Sequence, residues 1–417
     1  MDKVGKKYLG SLTSLRFFAA FSVVLFHSWN TYFADAFSGT PTWALNFIFS
    51  GFTAVSFFYF LSGFILAFNY GEAHSFNIDL TRFWRARVAR VYPVFLLSLI
   101  VGAPFAFNNI SHLESLFERG RDLILSGAMN LTLLQAWAPR FASGWNPPGW
   151  SLSCEAFFYL LFPWIGLMVW RVPKKYLLGS LAVVWGISMA VVWLCVRNSP
   201  GLSSVYGGHL STMTELLLET SAAEFIKSLP IFHLGEFISG VILGRIFLLQ
   251  GTEVENRIFP TLVSFSFIAL TGILCASDQL PYFLLHDGLL LPLFVIIIYG
   301  LARSPGIWNK ILGQPMLLLL GESSYALYIL HAPIKAWFVL VEKHIDLSRW
   351  ISLPVQGLLY FTFTLTLSIV AYKKIEVPWR RRIQGFSWNR RTFVLVSPET
   401  RELTRSSKQG VAIHLSE

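Results

Sequence analysis

Charge is scarce in this chain: Asp, Glu, Lys and Arg make up 13% of its 417 residues, against about a quarter in an ordinary soluble domain. With 54% of residues hydrophobic and 16% aromatic, a water-soluble fold of this length would have too few charges to cover its surface. Cysteine is scarce as well. Cys154, Cys195 and Cys275 are the three present, and they form neither a zinc-ligand spacing nor a disulfide framework. No resident metal is therefore expected on them, and each cysteine reads as a small buried hydrophobe. Internal repeats are missing too, which argues against a transporter or flippase built on paired inverted halves.

What is abundant is apolar sequence in long runs. A bilayer core of about 30 Å needs roughly 20 apolar residues per helix. Runs of that kind cover 12–31, 46–68, 87–107, 151–170, 177–196, 229–249, 259–276, 282–300, 314–340 and 351–373. The expected fold is an all-α integral membrane protein with about ten transmembrane helices, the third and ninth being the least cleanly bounded. A cleaved signal peptide ending near Ala34-Asp35-Ala36 is a rival for the first run, but its apolar stretch would be overlong and would contain Arg16 and His27.

The net charge of +10 is informative by position, not as affinity for nucleic acid, because Lys and Arg stay on the cytoplasmic side of a membrane. With the N-terminus inside, 24 of the 33 Lys and Arg residues fall at the N-terminus, in alternate loops or in the C-terminal segment. Seven fall on the opposite side, and Arg16 and Lys335 remain within spans. Both termini are thus expected in the cytoplasm of a multi-pass inner-membrane protein. Residues 1–383 would form the membrane domain, with 384–417 a short basic cytoplasmic tail too small for a second catalytic unit. The longer external segments, 108–150 and 197–228, are acceptor-side candidates, and the first contains an amphipathic stretch from Leu113 to Trp137 suited to the membrane surface.

Ionisable groups within spans are costly and mark functional sites by default. Arg16 and His27 are eleven residues apart, which returns to nearly the same helix face roughly 16 Å further along the axis. One face would carry a phosphate-binding charge and a titratable imidazole; the alternative is an arginine snorkelling to headgroups and a histidine capping the other end. Arg85, Arg87 and Arg90 stand at the start of the third span, with Arg87 and Arg90 an i,i+3 pair on one face. Guanidinium groups clamp phosphate bidentately, although the positive-inside rule alone would also put arginines here. In Asn146-Pro147-Pro148-Gly149-Trp150-Ser151-Leu152-Ser153-Cys154-Glu155, the carboxylate lies in the first turns of a helix. There it either meets the helix dipole or holds His27 in the tautomer needed for base catalysis. Ser324, Tyr325, Tyr328 and His331 make a polar stripe that should face a cavity rather than lipid. His233, Glu236, His286 and Asp287 extend the polar set.

In this order, these clusters resemble the acyltransferase 3 family of membrane acyltransferases. The family's Arg, ten residues, His spacing stands at Arg16 and His27, and a phrase of its FF-x-LSGF type runs from Ser56 to Phe64. R-x-x-R before I/V-Y-P is Arg87 and Arg90 before Val91-Tyr92-Pro93, and WSLS-x-E-x-x-FY runs from Trp150 to Tyr159. EF-x-x-G is Glu236 to Gly240, S-Y-x-x-Y-x-x-H is Ser324 to His331, and E-x-P is Glu376-Val377-Pro378. The match spans about residues 8 to 382. Two positions depart from the pattern: Ala156 where a second acidic residue often follows Glu155, and His233 where an Arg commonly precedes the EF element.

The resemblance implies transfer of an acyl group, most often acetyl, from cytoplasmic acyl-CoA to a hydroxyl of an extracytoplasmic or lipid-linked saccharide. Acyl-CoA would be a co-substrate rather than a bound cofactor. It casts His27 as base, Glu155 as its orienter, Arg16 along the donor route or against the developing negative charge, and Arg87 and Arg90, helped by Arg85, on the coenzyme phosphates. Trp150, Ser151, Ser324, Tyr325, Tyr328, His331 and Glu236 would line the substrate cavity. A lipid or small-molecule acceptor stays open, as does the oligomeric state.

Overall fold

Ten helices long and apolar enough to cross a bilayer make up most of the computed structural model, which describes residues 9–110, 115–198, 226–250, 258–303, 306–385 and 392–396. In chain order the principal elements begin with α1 (Gly10–Tyr32), α2 (Ala54–Tyr70), β1 (Ser75–Asp79), α3 (Leu80–Ile110), α4 (Leu116–Leu131) and α5 (Gly149–Arg171). They continue with α6 (Leu177–Asn198), α7 (Pro230–Leu249), α8 (Ile258–Cys275), α9 (Leu291–Arg303), α10 (Ser324–Ile345), α11 (Leu353–Ala371), α12 (Val377–Gly385) and β2 (Thr392–Val396). All ten expected spans are present. The ninth begins later than its hydropathy suggests: Pro315 starts a separate short helix, Pro315–Glu322, and α10 starts afresh at Ser324. Most of the expected external segment 197–228 lies outside the described residues.

The closest helix pair is α2 against α7, and its cause is glycine. A Cβ on Gly63 would overlap the Phe237 carbonyl, and one on Gly240 would overlap the Phe60 carbonyl. Gly63 with Ala67, and Gly240 with Gly244, give each helix a small residue every fourth position, which lets two backbones touch where lipid supplies no hydrophobic drive.

Pro93, Pro104, Pro163 and Pro333 lie inside helices and free the carbonyl four residues before them, since proline has no N–H; at two of them a side chain supplies the new partner. Pro333 in α10 frees the Ile329 carbonyl, which accepts from Asn146 Nδ2 at 3.0 Å. Pro163 in α5 frees the Tyr159 carbonyl, which accepts from Trp84 Nε1 at 3.1 Å. Asn146 also donates to Ser98 Oγ, and Gln135 to the Gly149 carbonyl, so the turn leading into α5 is anchored from three sides.

At the end of the bundle where α1 begins, β2 pairs antiparallel with β1, Asn77 opposite Val394. Phe76 and Ile78 of β1 are buried, Phe76 against Phe162 and Trp170. At the other end, α4 is capped by Ser115, whose side chain accepts from the Glu118 N–H. It turns Asp122, Ser126 and Asn130 inward and leaves Leu116, Phe117 and Ile124 exposed, the arrangement of a helix lying on a membrane surface.

Replacing Gly240 with Val should lower the melting temperature of the detergent-purified protein by several degrees, because overpacking a tight contact costs about 1–3 kcal/mol. Gly272→Ala on α8, where a Cβ meets nothing within 4 Å, should leave it unchanged. Equal melting curves for the two variants would remove the glycine contact as the reason α2 and α7 pack as they do.

Candidate functional site

A cavity of about 430 Å³ opens among α1, α2, α3, α5, α10 and α12. Arg16, Arg87, Arg90 and Arg380 line it together with Glu155, Glu322 and Glu376, an uncommon density of charge inside a bundle of apolar helices. Arg87 and Arg90 share a face of α3, as their spacing predicts. The Arg87 guanidinium lies 5.7 to 6.0 Å from the ring centres of Tyr159, Phe83 and Tyr70, so aromatic faces hold it in place. Arg16 is in electrostatic contact with Arg90, Glu376 and Glu155. Arg85 does not line the cavity: two residues from Arg87, it points nearly to the opposite side of the helix.

Glu155 accepts from the Tyr159 hydroxyl and, at 3.4 Å, from Ser62 Oγ. Glu376 and Tyr372 reach the cavity from a π-helical turn, Tyr372–Glu376, between α11 and α12. Such a turn is a frequent mark of a functional site. Tyr372 donates to Glu322 Oε2 at 2.9 Å, and one oxygen of the buried Glu376 has no hydrogen-bond partner among the described residues.

The deep end of the cavity is formed by Ser151, Tyr328 and Phe58. Ser151 Oγ donates to the Pro148 carbonyl at 2.8 Å, so the Tyr328 hydroxyl, also at 2.8 Å, donates to Ser151. One turn further along α10 is His331, fully buried. Its Nδ1 lies 2.6 Å from the Tyr328 carbonyl. A carbonyl only accepts, so Nδ1 carries the ring proton and Nε2 presents a lone pair. That lone pair faces His27 Nδ1 at 3.1 Å, with the two rings stacked 5.1 Å apart. Neutral His27 therefore donates from Nδ1, and its Nε2 is left with a free lone pair. Lys335, a turn beyond His331, donates to the His27 carbonyl at 2.6 Å, and Tyr360 donates to the His331 carbonyl.

Several expectations change. The pairing of Glu155 with His27 is not made: Glu155 is held by Tyr159 and Ser62 at the level of the arginines, and His331 occupies the position beside the imidazole. Arg16 lines the cavity but His27 does not; their eleven-residue separation puts His27 past the level of Tyr328. Trp150, Glu236 and His331, all expected in the lining, are outside it as well. Trp150 is one residue from Ser151, about 100° round α5, and its ring packs on His233 and His286 instead. Glu236 is buried beside His233 on α7. Ser324 and Tyr325 remain in the lining, Tyr325 donating to the Val91 carbonyl at 2.6 Å.

Sequence reasoning missed Tyr159, Ser62, Tyr372, Glu376 and Arg380 as site residues. Glu376 had a signal, the closing E-x-P phrase just past the last apolar run. Cys154 is buried, its thiol directed at the Ser228 carbonyl.

A family model described as an acyltransferase domain matches residues 9–373. The chain is 32% identical over 329 residues to the acyltransferase MdmB of Streptomyces mycarofaciens, covering 78% of each protein. It is 26% identical over 384 residues to the O-acetyltransferase OatA of Staphylococcus aureus strain NCTC 8325 / PS 47, covering 90% of this chain and 58% of that one. A putative O-acetyltransferase of Staphylococcus aureus strain COL is 23% identical over 404 residues. The chain thus spans little more than half the length of these staphylococcal relatives. No solved structure matches it. A family model covering most of the chain and ten membrane-crossing helices around a charged cavity lead to one assignment: this protein belongs to the acyltransferase 3 family and is a membrane acyltransferase.

Proposed function

We propose that the protein moves an acyl group, acetyl first among the choices, from acyl-CoA to a hydroxyl of an extracytoplasmic or lipid-linked saccharide. The observation that carries this reading is the His331–His27 pair, with His27 Nε2 unprotonated just beyond the deep end of an arginine-lined cavity. The relatives named O-acetyltransferases support both the acetyl group and the oxygen acceptor.

On this reading the basic end of the bundle is cytoplasmic, in keeping with the Lys and Arg bias, and the membrane is the cell's inner membrane. Arg87, Arg90 and Arg380 take the coenzyme phosphates. Arg16 lines the route of the pantetheine arm, which extends along α1 toward His27. The cavity ends at Tyr328, one turn short of His331, so the arm must displace that ring to bring its thioester to the imidazole.

The acceptor hydroxyl comes from the other face. His27 Nε2 takes its proton as the oxygen attacks the thioester carbonyl. His331 stabilises the resulting imidazolium by accepting from Nδ1, the orienting role a carboxylate plays in other acyl-transfer sites. Collapse of the tetrahedral intermediate breaks the C–S bond, and the leaving thiolate takes the proton from His27. Atoms and charge balance without a metal or redox partner in this step.

Positioned base catalysis is worth about 10²–10⁴-fold, so His27→Ala should reduce turnover by about that factor while the protein still elutes as a folded species. His331→Ala should also cost activity, and the double variant should be little worse than His27→Ala alone, because the two rings act as a unit. Losses that multiply in the double variant would count against the pair.

Arg90→Ala should raise the KM for acetyl-CoA by about tenfold, the value of one charge-assisted contact, with a much smaller effect on kcat. An unchanged KM would remove the phosphate anchor.

The overall reading is tested by incubating purified protein in detergent with radiolabelled acetyl-CoA and a panel of cell-surface glycans and lipid-linked precursors. Label appearing in a glycan is the expected result. Label appearing only in lipid or in a small-molecule alcohol would overturn the saccharide acceptor, and none anywhere would overturn the reaction.

A further inference from the structure

Beside the cavity, four titratable side chains meet in a place the reaction does not use. His233 and Glu236 are one turn apart on α7, and His286 and Asp287 end the short helix Tyr282–His286 before α9. None is more than 3% exposed. Rings close round them: Trp150 at 5.7 Å from His233 and 6.2 Å from His286, Tyr59 at 5.3 Å from His233, and Phe52 at 5.8 Å from His286.

The hydrogen bonds fix which atoms face inward. His233 Nε2 is 2.8 Å from the Lys227 carbonyl, so it carries the ring proton and Nδ1 presents a lone pair. That lone pair points at two carboxylates, 3.7 Å from both Glu236 Oε2 and Asp287 Oδ1. Asp287 Oδ1 is in turn 3.4 Å from His286 Nδ1. Among the described residues, His233 Nδ1, both oxygens of Glu236 and Asp287 Oδ2 have no hydrogen-bond partner. The Ser56 hydroxyl nearby is committed to the His286 carbonyl at 2.6 Å. A lone pair set against two carboxylates in an apolar pocket is strongly unfavourable unless a cation or a proton lies among them.

The spacing suits a metal. Ligand atoms about 2.0–2.2 Å from a tetrahedral zinc ion lie about 3.4 Å from one another; His286 Nδ1 and Asp287 Oδ1 are 3.4 Å apart, and His233 Nδ1 is 3.7 Å from Asp287 Oδ1 and from Glu236 Oε2. One ligand atom from each of His233, His286 and Asp287 falls within 4.8 Å of the others. The Lys227 carbonyl is the kind of outer acceptor that orients a ligating histidine. Two neutral imidazoles, two carboxylates and a divalent cation also sum to zero charge, as the interior of a membrane protein favours.

We propose that His233, His286 and Asp287 bind one divalent transition-metal ion of the zinc class, with Glu236, 3.7 Å from His233 Nδ1, turning in as fourth ligand. All four positions are taken by protein, so the site is structural. It ties α7 to the break before α9 and, through Trp150, seats the start of α5, whose next residue Ser151 lines the cavity. The absence of a metal expected from the cysteines does not bear on it, because these ligands come from two spans about 50 residues apart.

The test is independent of acyl transfer. The full chain, carrying a tag without histidines, is purified in detergent free of chelators and its metals are measured by mass spectrometry. About one zinc-class ion per chain is expected, the stoichiometry of a four-ligand structural site. His286→Ala should lower it by about tenfold or more, and His331→Ala should retain it. Stripping with phenanthroline should lower the melting temperature, and added Zn²⁺ should restore it. Wild-type protein that carries essentially no metal and whose melting is indifferent to Zn²⁺ would overturn the proposal, leaving a proton shared by His233 and the carboxylates. Loss of the metal from His331→Ala as well would overturn the assignment of ligands.

Discussion

Hydrocarbon offers no hydrogen bonds, and every polar group this chain takes into its spans has to be satisfied from within. Two of the proline-freed carbonyls show the rule in its simplest form. Ile329 is answered by Asn146 from the turn before α5, and Tyr159 by Trp84 from α3. Each bond repairs a helix and also joins two elements that line the cavity. The prolines therefore do not merely survive in the membrane; they recruit the side chains that set the position of α5 and α10 relative to the arginines.

The same constraint accounts for how the charged residues are arranged. At one end, arginines and carboxylates face each other across a space large enough for part of a ligand. Deeper in, a carbonyl of α10 fixes one histidine, which fixes a second, and the last nitrogen in the series is left basic. To one side, the His233 group is closed off by aromatic rings. The three regions share neighbours on α5: Glu155 belongs to the first, Ser151 joins the Tyr328 hydroxyl at its deep end, and Trp150 covers the third.

Much of this was legible in the chain itself. Spans follow from hydropathy, and Arg87 with Arg90 shares a face because three residues make most of a turn. Arg16, Glu155, Ser324, Tyr325 and Tyr328 reach the cavity that their phrases suggest. What failed was angular or long-range. Trp150 and Ser151 are adjacent in a motif, yet adjacency on a helix means facing different ways. His331 is 304 residues from His27, and no local period joins them, so the nearer carboxylate phrase looked like the better partner. The π-helical turn depends on tertiary packing, which leaves no periodic trace. The strand at Thr392–Val396 did have one, the β-branched Thr392, Val394 and Val396 alternating with Phe393 and Leu395 inside a tail read as basic.

The side-by-side rings of Phe58 and Tyr328, 5.8 Å apart, have a consequence for the cell as well as for the substrate. On the proposed reaction the protein receives one reactant from each face of an energised membrane, and a passage open at both ends would discharge the ion gradient. A hydrophobic ring beside a hydroxyl already committed to Ser151 narrows the passage at this level. On that reading the constriction keeps the bilayer insulating between turnovers, and the arm of the donor, when it pushes past, is itself the stopper.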